Sequence, residues 1–341
     1  MIVIAGAGVI GSAIAYAYRD SDQDIVVLDK ATFPGSGISS RNSGVIHAGL
    51  YYPRNSLKDR LCRQGREMLY RFCEAHHVAH RKIGKLIVAQ TGEEEDLLLK
   101  LKEDVAEDVP LCFTESFSPA IAAKKALFSP ESGIIDVHGF IMAMLSASGA
   151  EVLPGQQVQW VKRKGDRVAF QVNDEIEECA LFINACGLDS FQLFGSVLFR
   201  PYAKGSYFRI TRKPPAAIES LVYPVVPKAS PSLGTHLTLD LQGSLLLGPN
   251  LNWVDDLDYH VDEADRDDFH AAALRYLPWL EAEDLEPGYV GYRPKIAGPA
   301  FRDFLFHRDG PVLHCLGIES PGITAALAIG EHVRKTLEEA S

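Results

Sequence analysis

The chain opens on an apolar run, Ile2-Val3-Ile4-Ala5, which breaks at Gly6-Ala7-Gly8-Val9-Ile10-Gly11. Ser12 to Arg19 follows as a helix-like segment, and a second apolar run, Ile25 to Leu28, ends at Asp29. That order predicts strand, glycine turn, helix, strand: a parallel β-α-β opening. A Pro-, Gly- and Ser-rich stretch over 31–37 reads as a loop. Leu57 to His76 is amphipathic, with Leu61, Leu69 and Phe72 among its apolar positions, and predicts a long helix. Gly84 to Ala89 then reads as a strand, and Glu93 to Ala106 as an acidic helix with Leu97, Leu98, Leu101 and Val105 apolar. This order leaves the opening rhythm and predicts an excursion into a second domain.

Asp136 to Ala147 predicts another helix, with Asp136 as its N-cap. Val158 to Val161 and Val168 to Val172 are separated by Lys164-Gly165-Asp166, which predicts a β-meander. Leu181 to Gly187 reads as a buried strand that stops at a glycine near a ligand. From Arg200 to Pro287 the strand-like runs Tyr207–Ile210, Leu221–Tyr223, His236–Leu239 and Ser244–Leu247 predict an antiparallel sheet, followed by a helix over Arg266–Leu277. The end returns to the opening idiom: a strand Val312–Leu316, a loop Gly317–Gly322 and a helix Thr324–Leu337. The expected fold class is α/β, or α+β overall. A Rossmann-like domain with a β-meander comes from residues 1–80, 126–199 and 288–341. A second, mainly antiparallel domain comes from 81–125 and 200–287. There is no internal repeat and no low-complexity tract.

A length of 341 residues fits two domains, and 47% hydrophobic with 23% charged residues describes a soluble globular chain. The formal net charge of −11 argues against nucleic acid as a partner and against docking on an anionic membrane by charge. No apolar run is long enough for a transmembrane segment, and no basic n-region precedes Ile2. Cys62, Cys73, Cys112, Cys179, Cys186 and Cys315 form no C-x-x-C pair and read as reduced thiols of a cytoplasmic protein. His76, His77 and His80 have helical spacing but no nearby acid or thiol, so no metal site is expected. Glu93 to Asp96 complements a helix dipole. The apolar pairs Leu193-Phe194 and Leu198-Phe199 read as interdomain core, with a quinone or membrane face as the alternative. Nothing in the sequence specifies an oligomeric state.

The glycine turn carries the first chemistry. Gly6 suits a tight turn, Gly8 lets backbone N–H groups approach a pyrophosphate, and Gly11 lets the helix pack close to the strand. The helix N-terminus supplies partial positive charge to a diphosphate, and Asp29, at the end of the second strand, suits ribose hydroxyls. The pattern therefore reads as a dinucleotide site, shared by nicotinamide and flavin enzymes. A single G-x-G-x-x-G leaves no second nucleotide fold, and the loop and helix from Gly317 bring another helix N-terminus near the same sheet. Both features favour FAD over NAD.

Five segments carry a more specific likeness: Gly6 to Gly11, Arg41 to Tyr52, Lys204 to Phe208, Gly291 to Lys295 and Glu319 to Thr324. Together they resemble the FAD-dependent L-2-hydroxyglutarate dehydrogenase/oxidase branch of the D-amino-acid-oxidase-like (DAO) superfamily, in order over nearly the whole chain. The chain departs from that pattern by being short between Glu103 and Leu127 and compact from Asn252 to Gly288. The resemblance implies FAD at Gly6, Gly8, Val9, Ile10, Gly11, Asp29 and Lys30. It extends to Ser40, Arg41, Asn42, Ser43 and Gly44, to Val158, Ala185, Cys186, Gly187 and Gly291, and to Ser320, Pro321, Gly322, Ile323 and Thr324. It also implies oxidation of a small 2-hydroxy acid or dicarboxylate by hydride transfer to flavin N5. Electrons would then leave to a quinone, another carrier or oxygen, in the cytoplasm or peripherally on the inner face of a membrane.

Such chemistry needs a cation for the carboxylate and a base for the hydroxyl proton. Arg293 is the leading clamp, because a guanidinium matches a carboxylate in a two-bond fork. Lys204, Lys295 and Tyr207 are candidates for a distal carboxylate, and Tyr52 is a further substrate contact. His47 is the favoured base or electrostatic partner, with a covalent flavin bond as its other role; His236 is the second histidine candidate. Two rival readings stand beside this one: an amine or amino-acid oxidase on the same scaffold, and a flavin-binding protein without turnover.

Overall fold

The computed structural model describes residues 1–105, 107, 109–195, 201–226, 234–296 and 301–339. Strand Ile2–Ala5 is buried along its whole length and lies inside a six-stranded sheet. Its parallel neighbours are Ile25–Asp29 and Leu181–Asn184, with Ile4 opposite both Val27 and Ile183. Glu151–Pro154 extends one side in parallel, and Val312–Leu316 the other, followed by the antiparallel edge strand Leu305–Asp309. Such a strand is covered on both faces, which is why its apolar run is continuous rather than alternating. Ile2 and Ile4 join a core with helices Val9–Ala17, Val137–Ser148 and Gly322–Glu338, while Val3 and Ala5 pack with Val168 and Phe170 of the meander. The meander itself is Val158–Lys164, Arg167–Val172 and Glu175–Cys179, as the turn signal predicts.

The C-terminal helix closes this unit. It packs on Val9–Ala17 and on Leu57–Ala75, and small residues permit the approach. A Cβ on Gly330 would lie 2.4 Å from the Ala13 carbonyl oxygen, and one on Gly65 would lie 2.4 Å from that of Thr324. Ser56 caps the Leu57–Ala75 helix by accepting from the Asp59 N–H, and Asp136 caps Val137–Ser148 through the Gly139 N–H.

The second unit is a nine-stranded mixed sheet. Its order is Asn252–Val254, Tyr202–Ile210, Leu245–Leu247, Leu237–Leu239, Leu221–Pro224, Lys85–Ala89, Lys125–Ser129 and Cys112–Thr114, with Leu285–Arg293 paired to Tyr202–Ile210. All pairs are antiparallel except Leu221–Pro224 with Lys85–Ala89. The expected division between residues 287 and 288 falls inside a strand. Pro287-Gly288 reads as a break, yet the register shift between Ser206 and Phe208 absorbs it within the ladder. Lys125–Ser129 likewise runs across the expected division at 125. The helix expected over Arg266–Leu277 is shorter, Arg266–Leu274, and a small sheet of Val45–Ile46, Gly133–Ile135 and His80–Arg81 was not expected at all.

Leu198, Phe199 and Arg200 lie outside the described residues. Phe194 packs edge-on against His307 and His314. His76 stacks on Phe72 and His80 Nδ1 meets the Val78 carbonyl, so both rings have structural partners. Among the described residues no cluster of His, Cys, Asp and Glu is arranged to hold a metal ion, and no helix is long and apolar enough to cross a membrane.

Candidate active site

The glycine turn shows the conformations its residue types permit. Gly6 has φ 106°, and a Cβ there would lie 2.5 Å from the Ala185 oxygen. A Cβ on Gly11 would lie 1.8 Å from the Gly6 oxygen, so helix and turn meet only without a side chain. Helix Val9–Ala17 carries no side-chain cap and no acid in its first turn. The Val9 N–H donates to Ser39 Oγ at 3.1 Å. Asp29 holds the turn: its carboxylate accepts from the Ala7 N–H at 2.7 Å and from the Ala31 N–H at 2.8 Å. Each oxygen retains a lone pair for a ribose hydroxyl.

From this turn a cavity of about 1160 Å³ runs between the two sheets, past Val158, Ala185, Cys186 and Gly187, to His47 and Arg293. That exceeds the roughly 300–1,000 Å³ of an ordinary small-ligand site. The walls fit a dinucleotide with room for a small acid beyond it: a helix N-terminus free of acidic residues and close-packed glycines at one end, buried aromatics at the other. The segments that carry His47 and Arg293 touch directly. Tyr289 donates its hydroxyl to the Asn42 oxygen at 2.6 Å, and a Cβ on Gly291 would lie 2.3 Å from the Arg41 oxygen.

At the far end, His47 is pinned to the first turn of the C-terminal helix and to the loop before it. Its N–H donates to Thr324 Oγ1 at 3.0 Å, and its Nε2 lies 3.3 Å from Ser320 Oγ. Ser320 Oγ also meets the Tyr52 hydroxyl at 3.4 Å. Burial pushes the His47 imidazole well below the usual histidine range, and the charges of Lys85 and Arg293 push in the same direction, so it is held neutral. His236 is also neutral, pushed down to about 3 by burial. Its Nδ1 lies 3.0 Å from the Gly234 oxygen, and its ring stacks on Tyr223 at 3.9 Å. Tyr207 meets Ser43 Oγ at 2.9 Å and stacks on Tyr289.

Among the described residues Arg293 has no acidic partner, and it faces the cavity half-buried. Lys295 differs: its ammonium donates to Glu319 Oε1 at 2.9 Å, and Lys58 donates to the same oxygen at 2.9 Å. Burial would raise the Glu319 carboxyl, but Lys58, Lys295 and Arg293 outweigh it and hold the group below the usual range. Glu319 is therefore charged and already neutralised.

The cavity thus brings together His47, Arg293, His236, Tyr52, Tyr207 and Lys295. Around the dinucleotide end it gathers Gly6, Gly8, Val9, Ile10, Asp29, Lys30, Arg41, Asn42, Ser43, Gly44, Val158, Ala185, Cys186, Gly187 and Gly291, with Ser320, Pro321, Gly322 and Ile323. Lys30 pairs with Asp189 at its edge. Lys204 requires a correction. Gly205 and Tyr207 face the cavity, so strand alternation turns Lys204 away, where it donates to Asp258 at 2.9 Å. Gly11 and Thr324 stand behind the wall, Gly11 against Gly6 and Thr324 on His47, while Ser40 is exposed with its Oγ on the Ser36 and Gly37 oxygens. Sequence reasoning missed Ser39, Tyr51, Tyr223 and Lys85. Lys85 left a signal, a lysine opening an otherwise apolar strand; Tyr51 lay inside the Arg41 to Tyr52 segment and Tyr223 inside a strand-like run, and neither was singled out.

A model of the family described as FAD dependent oxidoreductase (DAO) matches residues 1–336. The mitochondrial L-2-hydroxyglutarate dehydrogenase of Arabidopsis thaliana is 34% identical, over 97% of this chain and 82% of its own. The L-2-hydroxyglutarate dehydrogenase of Escherichia coli (strain K12) is 26% identical over 97% and 91%. Among solved structures, FAD-bound L-alpha-glycerophosphate oxidase from Mycoplasma pneumoniae superposes with a TM-score of 0.86 at 21% identity, over 99% of this chain and 94% of that one. Glycine oxidase from Geobacillus kaustophilus gives 0.83 at 19% identity over the same shares, and these two speak to the fold. The turn, the cavity and the match along almost the entire sequence converge, and the chain belongs to the DAO family of FAD-dependent oxidoreductases.

Proposed function

We propose that this enzyme oxidises L-2-hydroxyglutarate, or a close 2-hydroxy dicarboxylate, to the 2-oxo acid. The observation that carries this is the unpaired Arg293 guanidinium in the same cavity as a neutral His47. Bound FAD supplies the hydride acceptor; Gly6, Gly8, Asp29, Asn42, Gly187 and the loop from Ser320 would hold it. Arg293 forks onto the substrate's C1 carboxylate, which fixes the carbinol carbon beside His47. His47 takes the hydroxyl proton as the C–H bond breaks. An anion bound at Arg293 offsets the positive field on His47 and raises its proton affinity during the step that needs it. Ser320 and the Tyr52 hydroxyl orient the imidazole. The parallel sheet serves the cofactor and the mixed sheet the substrate. Electrons then pass to a quinone, another carrier or oxygen. The names of the relatives support the substrate; the unpaired guanidinium supports the acid.

The test is anaerobic mixing of the FAD-loaded protein with a panel of L- and D-2-hydroxy and 2-amino acids, followed by flavin absorbance. Bleaching by L-2-hydroxyglutarate ahead of the rest is expected. Preferential bleaching by an amino acid would transfer the enzyme to amine oxidation, and no bleaching by any acid would leave a binding protein.

A further inference from the structure

Lys85 is 1% exposed, in a strand buried at every position. Among the described residues no carboxylate pairs with it. Its ammonium lies 4.0 Å above the Tyr223 ring and 5.9 Å from that of Tyr51. The strand explains the placement. Ile87 stands in register with Tyr223 on the neighbouring parallel strand, and Lys85 shares the Ile87 face, which packs against Ala48 and Leu50. Tyr51, Tyr223 and the His236 ring stacked on it form cavity wall at the end that holds His47 and Arg293. Lys85 stands behind this wall, near enough that its charge acts on both histidines.

A buried ammonium without a counter-ion is costly, and cation–π contact with two tyrosines recovers only part of that cost. The neighbouring group whose charge would act on Lys85 is the Cys62 thiol, which burial pushes up to about 12 and so keeps uncharged. The missing counter-charge is then one that arrives with the ligand.

We propose that Lys85 is the positioning residue for a second, distal carboxylate of the substrate, acting through Tyr51 and Tyr223 while Arg293 holds the first. The inference rests on the 2-hydroxy acid reading and deepens it: two separated cations select a dicarboxylate over a monocarboxylate of the same length. Lysine burial supports the assignment, for it pushes the ammonium down to about 7, a group whose charge an incoming anion would stabilise.

The experiment compares L-2-hydroxyglutarate with L-2-hydroxypentanoate, which carries a methyl group in place of the distal carboxylate. Anaerobic flavin reduction in the FAD-loaded wild type and Lys85→Met gives an apparent Kd and a limiting rate for each acid. Lys85→Met should weaken the dicarboxylate by about tenfold or more and leave the monocarboxylate within about twofold. FAD content and melting temperature should stay near wild type. Should Lys85→Met fail to fold, Lys85→Gln keeps a polar group at the position and carries the same expectation. Equal weakening of both acids, or no change in either, overturns the proposal. If neither acid reduces the wild-type flavin, the parent reading fails first and takes this one with it.

Discussion

At the scale of single residues, the site divides into groups whose charge is spoken for and groups whose charge is not. Glu319 is held by both Lys58 and Lys295, which leaves that trio one positive charge in excess, while Arg293 makes no ion pair among the described residues. Arg293→Ala should therefore weaken substrate by roughly 2 kcal/mol or more, and Arg293→Lys should recover little, since an ammonium cannot form the planar two-bond contact. Unchanged affinity with FAD bound would remove Arg293 from the site. His47→Ala should slow flavin reduction by about 10²–10⁴-fold with FAD retained, read by stopped-flow absorbance. Wild-type reduction would clear it of proton transfer. Both residues could be picked out of the sequence as candidates, and both line the cavity, because each sits in a short segment of distinctive composition. Lys204 was not legible as an outward residue: a strand is visible in a pattern, but which of its two faces meets the ligand depends on its partners. Lys85 was passed over for a related reason, since the run it opens is read for its apolar members.

Among elements, the first β-α-β unit was the most legible, because everything that shapes it is local. Turn, helix start and acid lie within one short stretch, and the close contacts at Gly6 and Gly11 follow from their missing side chains. Gly11→Ala should give a protein that loses FAD or fails to fold, measured by flavin recovery on purification; a yellow, stable variant would contradict the packing of helix on turn. Gly330 is the counterpart that sequence gave no cause to suspect. Its Cβ would enter the Ala13 oxygen from more than three hundred residues away, and only the fold reveals it. The three-stranded sheet of Val45–Ile46, Gly133–Ile135 and His80–Arg81 escaped for similar reasons. Two-residue strands have no periodicity, and their partners are set by tertiary packing.

For the whole molecule, the two sheets share one buried polar interior, and that interior titrates. His236 is neutral in the fold at about 3 against an ordinary value near 6.5, so the unfolded chain binds more protons between those limits. Its contribution to stability is present above pH 6.5 and is lost as pH falls toward 3, by roughly 2 kcal/mol at pH 5. His47 and His314 are displaced in the same direction. Lys85, pushed down to about 7 in the fold, adds a loss of the same sign as pH falls from 8 to 7. The melting temperature should therefore decline gently from pH 8 to 7 and more steeply between 6.5 and 5; a melt indifferent to pH between 6.5 and 5 would mean these rings are not buried neutral. The fold class was legible because both chain ends repeat one idiom, whereas the border between the units was not, because Leu285–Arg293 crosses it as a continuous strand. On the proposed function, the cavity joining the glycine turn to Arg293 converts a bound 2-hydroxy dicarboxylate into its 2-oxo acid. That conversion is tested most directly by a single anaerobic turnover of the FAD-loaded protein with L-2-hydroxyglutarate, with flavin reduction and 2-oxoglutarate quantified in one sample. One equivalent of 2-oxoglutarate per reduced flavin is expected; an oxidised flavin, or a reduced flavin without that product, would contradict it.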